Sequence, residues 1–208
     1  MAARDEHWDR VYKQKGSDGV SWHRPHLERS LAFIAATGAD RNARIVDIGG
    51  GASTLVDDLL DRGFLNLTVL DISEAALDIA RARLGERANL VRWIQGDATT
   101  LDLGCAAFDI WHDRAVFHFL TNQEQREAYI ERACCSLNTG GYLILATFAP
   151  DGPDKCSGLP VVRYSADELQ REFGKPYELI SQATDTHETP WGTTQSFVYC
   201  LCNKTGDC

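Results

Sequence analysis

The sequence predicts a single α/β domain: a mostly parallel sheet with helices on both faces and an antiparallel final strand. Three observations predict it. Short apolar runs alternate with segments of helical period between residues 44 and 148. The first run leads through Ile45-Val46-Asp47-Ile48-Gly49-Gly50-Gly51-Ala52-Ser53, a buried strand that turns through glycines into a helix. The chain then closes with two β-rich stretches, 177–184 and 194–202, joined across Pro190 and Gly192. With 208 residues, 44% of them hydrophobic, it buries one sizeable core and fits one domain better than two.

Each element has a local cause. Helical patterns cover residues 6–15 and 25–37; in the second, Leu27, Leu31, Ile34 and Ala35 share a face, and Pro25 suits a helix start. Strand one is 44–48. Leu55, Val56, Leu59 and Leu60 then place a helix over 53–62, stopped by Gly63. Strand two is 67–71, and Ser73 caps a helix to Leu84 on which Ala76, Leu77 and Ala80 recur. Strands three and four are 90–95 and 108–112. Tyr129, Ile130, Ala133, Cys134 and Leu137 mark a helix over 123–137, which Asn138-Thr139-Gly140-Gly141 ends before a fifth strand, 142–148. The loop 149–160, with three prolines and two glycines, is a connection rather than a domain boundary. Ser165 and Glu168 make a reciprocal cap for a short helix to Phe173.

Composition excludes several classes. A formal charge of −9 opposes a broad footprint for nucleic acid or anionic lipid, which need clustered cations. No apolar run approaches the roughly 20 residues that cross a bilayer, and the polar first ten residues are unlike a secretory signal. A cytoplasmic protein is expected. Cys105, Cys134, Cys135, Cys156, Cys200, Cys202 and Cys208 are odd in number without a CxxC pair, so reduced thiols and no zinc site are expected.

The glycine turn carries the chemistry. A dinucleotide loop wants GxGxxG, but Thr54 stands at the third position and the carboxylate of Asp47 precedes the first glycine. That charge opposes a pyrophosphate and favours a cationic ligand without phosphate. Two more acids follow strands in register: Asp71 in Val69-Leu70-Asp71-Ile72-Ser73 and Asp97 in Gln95-Gly96-Asp97-Ala98. Ligands of such sheets bind outside the carboxyl ends of the strands, where all three acids fall. Any one acid could simply form a turn or a helix cap; three in register with the loop point to a site. A nicotinamide enzyme also uses an acid at the end of strand two, so Asp71 alone does not discriminate.

From these residues the chain resembles the class I S-adenosylmethionine (SAM)-dependent methyltransferases. The resemblance implies a Rossmann-like doubly wound sheet of seven strands in the order 3-2-1-4-5-7-6, with the last strand antiparallel. It assigns Asp47, Gly49, Gly50 and Gly51 to the methionine end of SAM, Asp71 to the ribose hydroxyls, Ile72 to adenine stacking, and Asp97 with Ala98 to the adenine edge. It implies an amino-terminal helical lid over 1–40, a SAM-binding core over 41–150 and an acceptor-side loop, helix and hairpin over 151–208. The tryptophan-bearing opening, with Trp8 and with Trp22 over the cofactor, is similar to that of small-molecule methyltransferases of the thiopurine and tellurite-resistance kinds, and also to elongation-factor lysine methyltransferases.

The resemblance also places acceptor-facing residues in Ile110-Trp111-His112-Asp113-Arg114-Ala115-Val116-Phe117-His118. His118 is a candidate base, Arg114 a candidate attractor of an anionic acceptor, and Asp113 a candidate for both cofactor and catalytic roles. The expected activity is methyl transfer from SAM, giving S-adenosylhomocysteine, to a small molecule, with a thiol, sulfide or metalloid preferred. The alternatives are a protein lysine methyltransferase, against which the absence of an Asn/Asp-Pro-Pro-Tyr type motif at His112-Asp113-Arg114-Ala115 counts, and a non-catalytic SAM- or nicotinamide-binding domain.

Overall fold

The computed structural model describes residues 2–16 and 19–207. Helices α1 (Ala2–Lys15) and α2 (Glu28–Ala36) precede the sheet. Strands β1 (Arg44–Ile48), β2 (Asn66–Asp71), β3 (Val91–Gln95), β4 (Phe108–Arg114) and β5 (Leu137–Phe148) are parallel, connected by α3 (Leu55–Asp61), α4 (Glu74–Leu84) and α5 (Gln123–Ser136). A two-stranded hairpin, β6 (Lys155–Cys156) with β7 (Leu159–Pro160), and α6 (Ala166–Phe173) lead to β8 (Tyr177–Glu188) and β9 (Thr194–Lys204). The seven-stranded order is β3-β2-β1-β4-β5-β9-β8, with β9 antiparallel to both neighbours. This is the expected Rossmann-like arrangement; the small hairpin inside 149–160 only shifts the numbering of its last two strands.

β1 lies between β2 and β4 with four successive residues buried, as a central strand covered on both faces must be. One layer packs Leu31, Ile34, Leu55, Leu59 and Leu77 from α2, α3 and α4 against Ile45, Ile110 and Ile144; the other packs Tyr129, Ala133, Leu169 and Phe173 from α5 and α6 against Val46, Trp111 and Leu143. The caps at Ser73 and Ser165 form as expected, the latter as a full capping box. Pro25 does not open α2. It stands before Leu27, the residue that flanks the helix, and so belongs to the chain segment leading in.

The cysteines depart from expectation. Cys105 and Cys135 are disulfide-bonded, 30 residues apart. The β3–β4 connection folds back on the end of α5, where Ala106 N donates to Cys135 O and Ala107 N to Ser136 O, both at 2.8 Å. Sequence spacing carries no sign of that approach. Cys156, Cys200 and Cys202 are buried free thiols, and Cys208 lies outside the described residues. The bridge joins the segments entering β4 and β5, on the opposite rim from the carboxyl ends of those strands. Reduction with dithiothreitol is therefore expected to lower unfolding stability by about 2–4 kcal/mol, read as a fall in Tm, while SAM affinity stays unchanged.

Candidate functional site

Strand order reverses between β1 and β4, and the chain turns there through Gly49, Gly50 and Gly51. Gly49 has φ +67°, and its N–H donates to Leu70 O at 2.7 Å, pulling the turn toward β2. A Cβ on Gly50 would lie 2.5 Å from Asp47 Oδ2 and 2.9 Å from Val69 Cγ1; one on Gly51 would lie 2.5 Å from Asp71 Oδ2. No side chain fits there. The turn must be glycine because the two carboxylates of the rim stand against it.

Over this turn lies a cavity, open to solvent at its mouth, lined by Gly49, Asp71, Ile72, Asp97 and Ala98 on one side and by Trp8, Tyr12, Trp22, Arg114, Phe119 and Cys156 on the other. That lining, mostly apolar and aromatic with a few polar groups, suits an organic ligand. A smaller compartment, sharing Tyr12, Trp22, Gly49 and Arg114, reaches Asp47, Gly50, Ser53 and Thr54. Of the expected cofactor residues, Gly51 and Asp113 line neither space; Gly51 stands behind Asp71.

The amino-terminal segment roofs the site. Trp8 meets Trp22 and Phe119 edge-on, at ring separations of 5.7 and 5.1 Å, and Tyr12 meets Trp22 at 6.1 Å. Asp9 ties α1 to the start of α4, accepting from Ser73 Oγ at 2.7 Å and Ala75 N at 3.2 Å. Arg4 ties it to Gln125 at 2.8 Å. Farther along, Arg24 reaches β8, donating to His187 Nδ1 at 2.8 Å and pairing with Asp185 at 2.9 Å.

The rim acids differ. Asp71 is 6% exposed, and Oδ1 accepts from Ser73 N at 2.8 Å. Burial pushes its pKa up to about 7, against the pull of backbone donors at Ser73 and Ile72, with the charges of Asp47 and Asp9 adding to the rise. A buried carboxylate short of donors beside a cavity fits a pair of ribose hydroxyls. Asp97 Oδ1 accepts from Thr99 N and Oγ1 at 2.8 and 2.7 Å, a turn that presents Ala98 to the cavity. Asp47 lies in register with His112, whose Nδ1 is 2.7 Å from its Oδ1. With acids against the glycine turn, the site suits a phosphate-free cationic adenosine donor and not a pyrophosphate.

Two expected residues do other work. Asp113 is fully buried and lines neither compartment. Its oxygens accept from Val116 N at 2.8 Å, Phe117 N at 3.0 Å and the Tyr129 hydroxyl at 2.5 Å, so it folds the turn after β4. His118 is also fully buried and outside both compartments, and its Nδ1 accepts from Phe148 N at 3.3 Å. Burial and the Arg114 cation push its pKa down to about 3, too low for a base near neutral pH. Arg114 does reach the cavity. Its Nε donates to the Tyr199 hydroxyl at 3.1 Å and Nη1 to Trp22 O at 3.2 Å, while Cζ sits 4.7 Å from the Phe197 ring centre. Burial pushes the Cys156 thiol up to about 12, so it contributes a neutral wall. Thr99 lines the cavity and Tyr199 contacts Arg114 without any motif to mark them.

The switch point, glycine turn and acidic rim define a nucleoside-binding α/β enzyme of the methyltransferase type. Residues 45–141 match the family described as "Methyltransferase domain", and the chain is a class I SAM-dependent methyltransferase with SAM as its cofactor. It is 25% identical over 217 residues to EEF1A lysine methyltransferase 2 of Danio rerio, covering 97% of this chain and 87% of that protein. It is 26% identical over 121 residues to the eEF1A lysine and N-terminal methyltransferase of Mus musculus, covering 58% of this chain but only 17% of the relative's length. Among solved structures, one described as "Conversion of a Disulfide Bond into a Thioacetal Group during Echinomycin Biosynthesis" aligns with a TM-score of 0.77 and 18% identity, covering 98% of this chain and 94% of the other.

Proposed function

We propose that this methyltransferase acts on a small electron-rich acceptor, a thiol, sulfide or metalloid. The observation that carries this is the acceptor wall: Trp8, Trp22 and Phe119 with Arg114 and a neutral Cys156, and no carboxylate. The cavity's acids, Asp71 and Asp97, belong to the adenosine side. A lysine ε-ammonium must lose its proton before methyl transfer and gains nothing beside a guanidinium, whereas an anionic acceptor with a soft nucleophile is accommodated there without a base. The thioacetal chemistry named for the structural neighbour is in keeping with a sulfur acceptor; the two curated relatives favour lysine.

When bound, SAM supplies a methyl group on a sulfonium whose charge disappears as the group leaves. The chain's part is orientation and dryness. Asp71, Asp97 and Ala98 hold the adenosine, and Asp47 with the glycine turn receives the methionine end. The aromatic roof excludes water, strengthening the field that Asp47, Asp71 and Arg114 impose. Neither His118 nor Asp113 takes a proton. Incubation of the purified protein with methyl-labelled SAM and separate pools of thiols, other metabolites and cell proteins tests this assignment. Label is expected in the thiol pool; label on polypeptide alone would reject it.

A further inference from the structure

Buried polar side chains link the cofactor end of the cavity to its acceptor end. His112 Nδ1 lies 2.7 Å from Asp47 Oδ1, and His112 Nε2 lies 2.9 Å from Ser30 Oγ. Ser30 Oγ is 3.5 Å from the Tyr199 hydroxyl, to which Arg114 Nε donates at 3.1 Å. The middle is dry: His112 is 1%, Ser30 0% and Tyr199 1% exposed. A guanidinium only donates and a carboxylate only accepts, so the two end links run from Arg114 to Tyr199 and from His112 to Asp47. Tyr199 accepts from Arg114 Nε, Ser30 Oγ lies within hydrogen-bonding distance of both the Tyr199 hydroxyl and His112 Nε2, and His112 Nδ1–H donates to Asp47.

The chain holds one edge of Arg114. With Nε on Tyr199, Nη1 on the Trp22 carbonyl and the guanidinium against Phe197, only Nη2 is left, shielded from water and without a partner, on a residue that lines the cavity. A buried cationic donor in that state is costly until an anion meets it. Tyr199 lines neither compartment, so its effect passes through Arg114. The anion is better carried on a part of the acceptor away from the reacting atom, because gripping the nucleophile itself would stabilise it before the methyl moves.

We propose that Tyr199, backed by Ser30 and His112, is a positioning residue that aims Arg114 Nη2 at a carboxylate on the methyl acceptor. This rests on the small-acceptor assignment above, but its test needs no turnover. The S-adenosylhomocysteine complex is titrated with butyrate and with 1-butanol, two chains of matched size that differ in charge. Wild-type protein is expected to prefer butyrate about tenfold, and Tyr199→Phe to remove that preference by weakening butyrate while butanol and S-adenosylhomocysteine bind as before. Ser30→Ala should move butyrate affinity the same way, and it carries the test if Tyr199→Phe fails to fold. No preference for butyrate in the wild type would overturn the proposal, as would equal weakening of both probes. So would weakened S-adenosylhomocysteine binding, which would put Nη2 on the cofactor. Label from SAM appearing only on polypeptide would reject the small-acceptor assignment and leave the butyrate result to stand or fall separately.

Discussion

Asp71→Ala is expected to weaken SAM binding about a hundredfold, the loss of two hydrogen bonds to a charged acceptor. The carboxylate ends β2, faces the cavity and is held back from its usual ionisation by burial. Ribose hydroxyls would supply the donors it lacks. At a SAM concentration 100 times the wild-type Kd the native protein gains about 2.7 kcal/mol, whereas a variant bound a hundredfold more weakly gains about 0.4 kcal/mol, so a thermal-shift assay separates them. The pH dependence has a definite sign. The free group titrates at about 7 and the bound state favours its ionised form, so SAM affinity should rise with pH up to about 7 and level off above it. Asp71→Asn should flatten that rise. Affinity unchanged in Asp71→Ala would remove the ribose from this residue.

The largest stability loss is expected at Asp113. Its fully buried side chain satisfies three donors, two of them backbone N–H groups at the turn leading into the Phe117–Phe119 segment. Asp113→Ala orphans all three and should cost about 3–5 kcal/mol, most of a small domain's margin. For a chain of this size that is a fall of about 10 °C in Tm. Asp113→Asn, which keeps one acceptor, should lose less. Burial pushes the Asp113 pKa up to about 6, above its unfolded value of about 3.9. The folded state therefore binds the extra proton between these values, and this group's titration makes stability fall as pH rises from about 4 to 6 and leaves it level beyond. Asp113→Asn removes that slope. Urea unfolding at pH 4.5 and 7 measures it, and a slope that survives in Asp113→Asn would contradict the assignment.

The fold was legible because its signals are local. Alternating strand and helix periods fixed the five parallel strands, and Ser73, Ser165 and Glu168 marked helix starts that form as read. The glycine turn and the acids at the ends of β1, β2 and β3 were legible for the same reason: each sits within a few residues of the strand that places it. The acceptor side was not. His112-Asp113-Arg114 alternate across β4, so one of the two neighbours of Asp113 cannot be judged without knowing what covers each face: Arg114 reaches the cavity, while Asp113 points to Tyr129 in the other layer. The partners of Arg114 come from Trp22 and Tyr199, 92 and 85 residues away in sequence. Tyr199 becomes a neighbour only because β9 returns antiparallel beside β5 and pairs it with Ala146. The Cys105–Cys135 bridge is non-local in the same way and follows from the fold of the β3–β4 connection.

A crystal structure of the protein grown with S-adenosylhomocysteine and NAD together tests the central claim most directly. The expected map shows S-adenosylhomocysteine across the glycine turn, with both ribose hydroxyls within hydrogen-bonding distance of Asp71, the adenine beside Ala98 and the amino group toward Asp47. A dinucleotide in that place, or an adenosine that leaves Asp71 untouched, would contradict it.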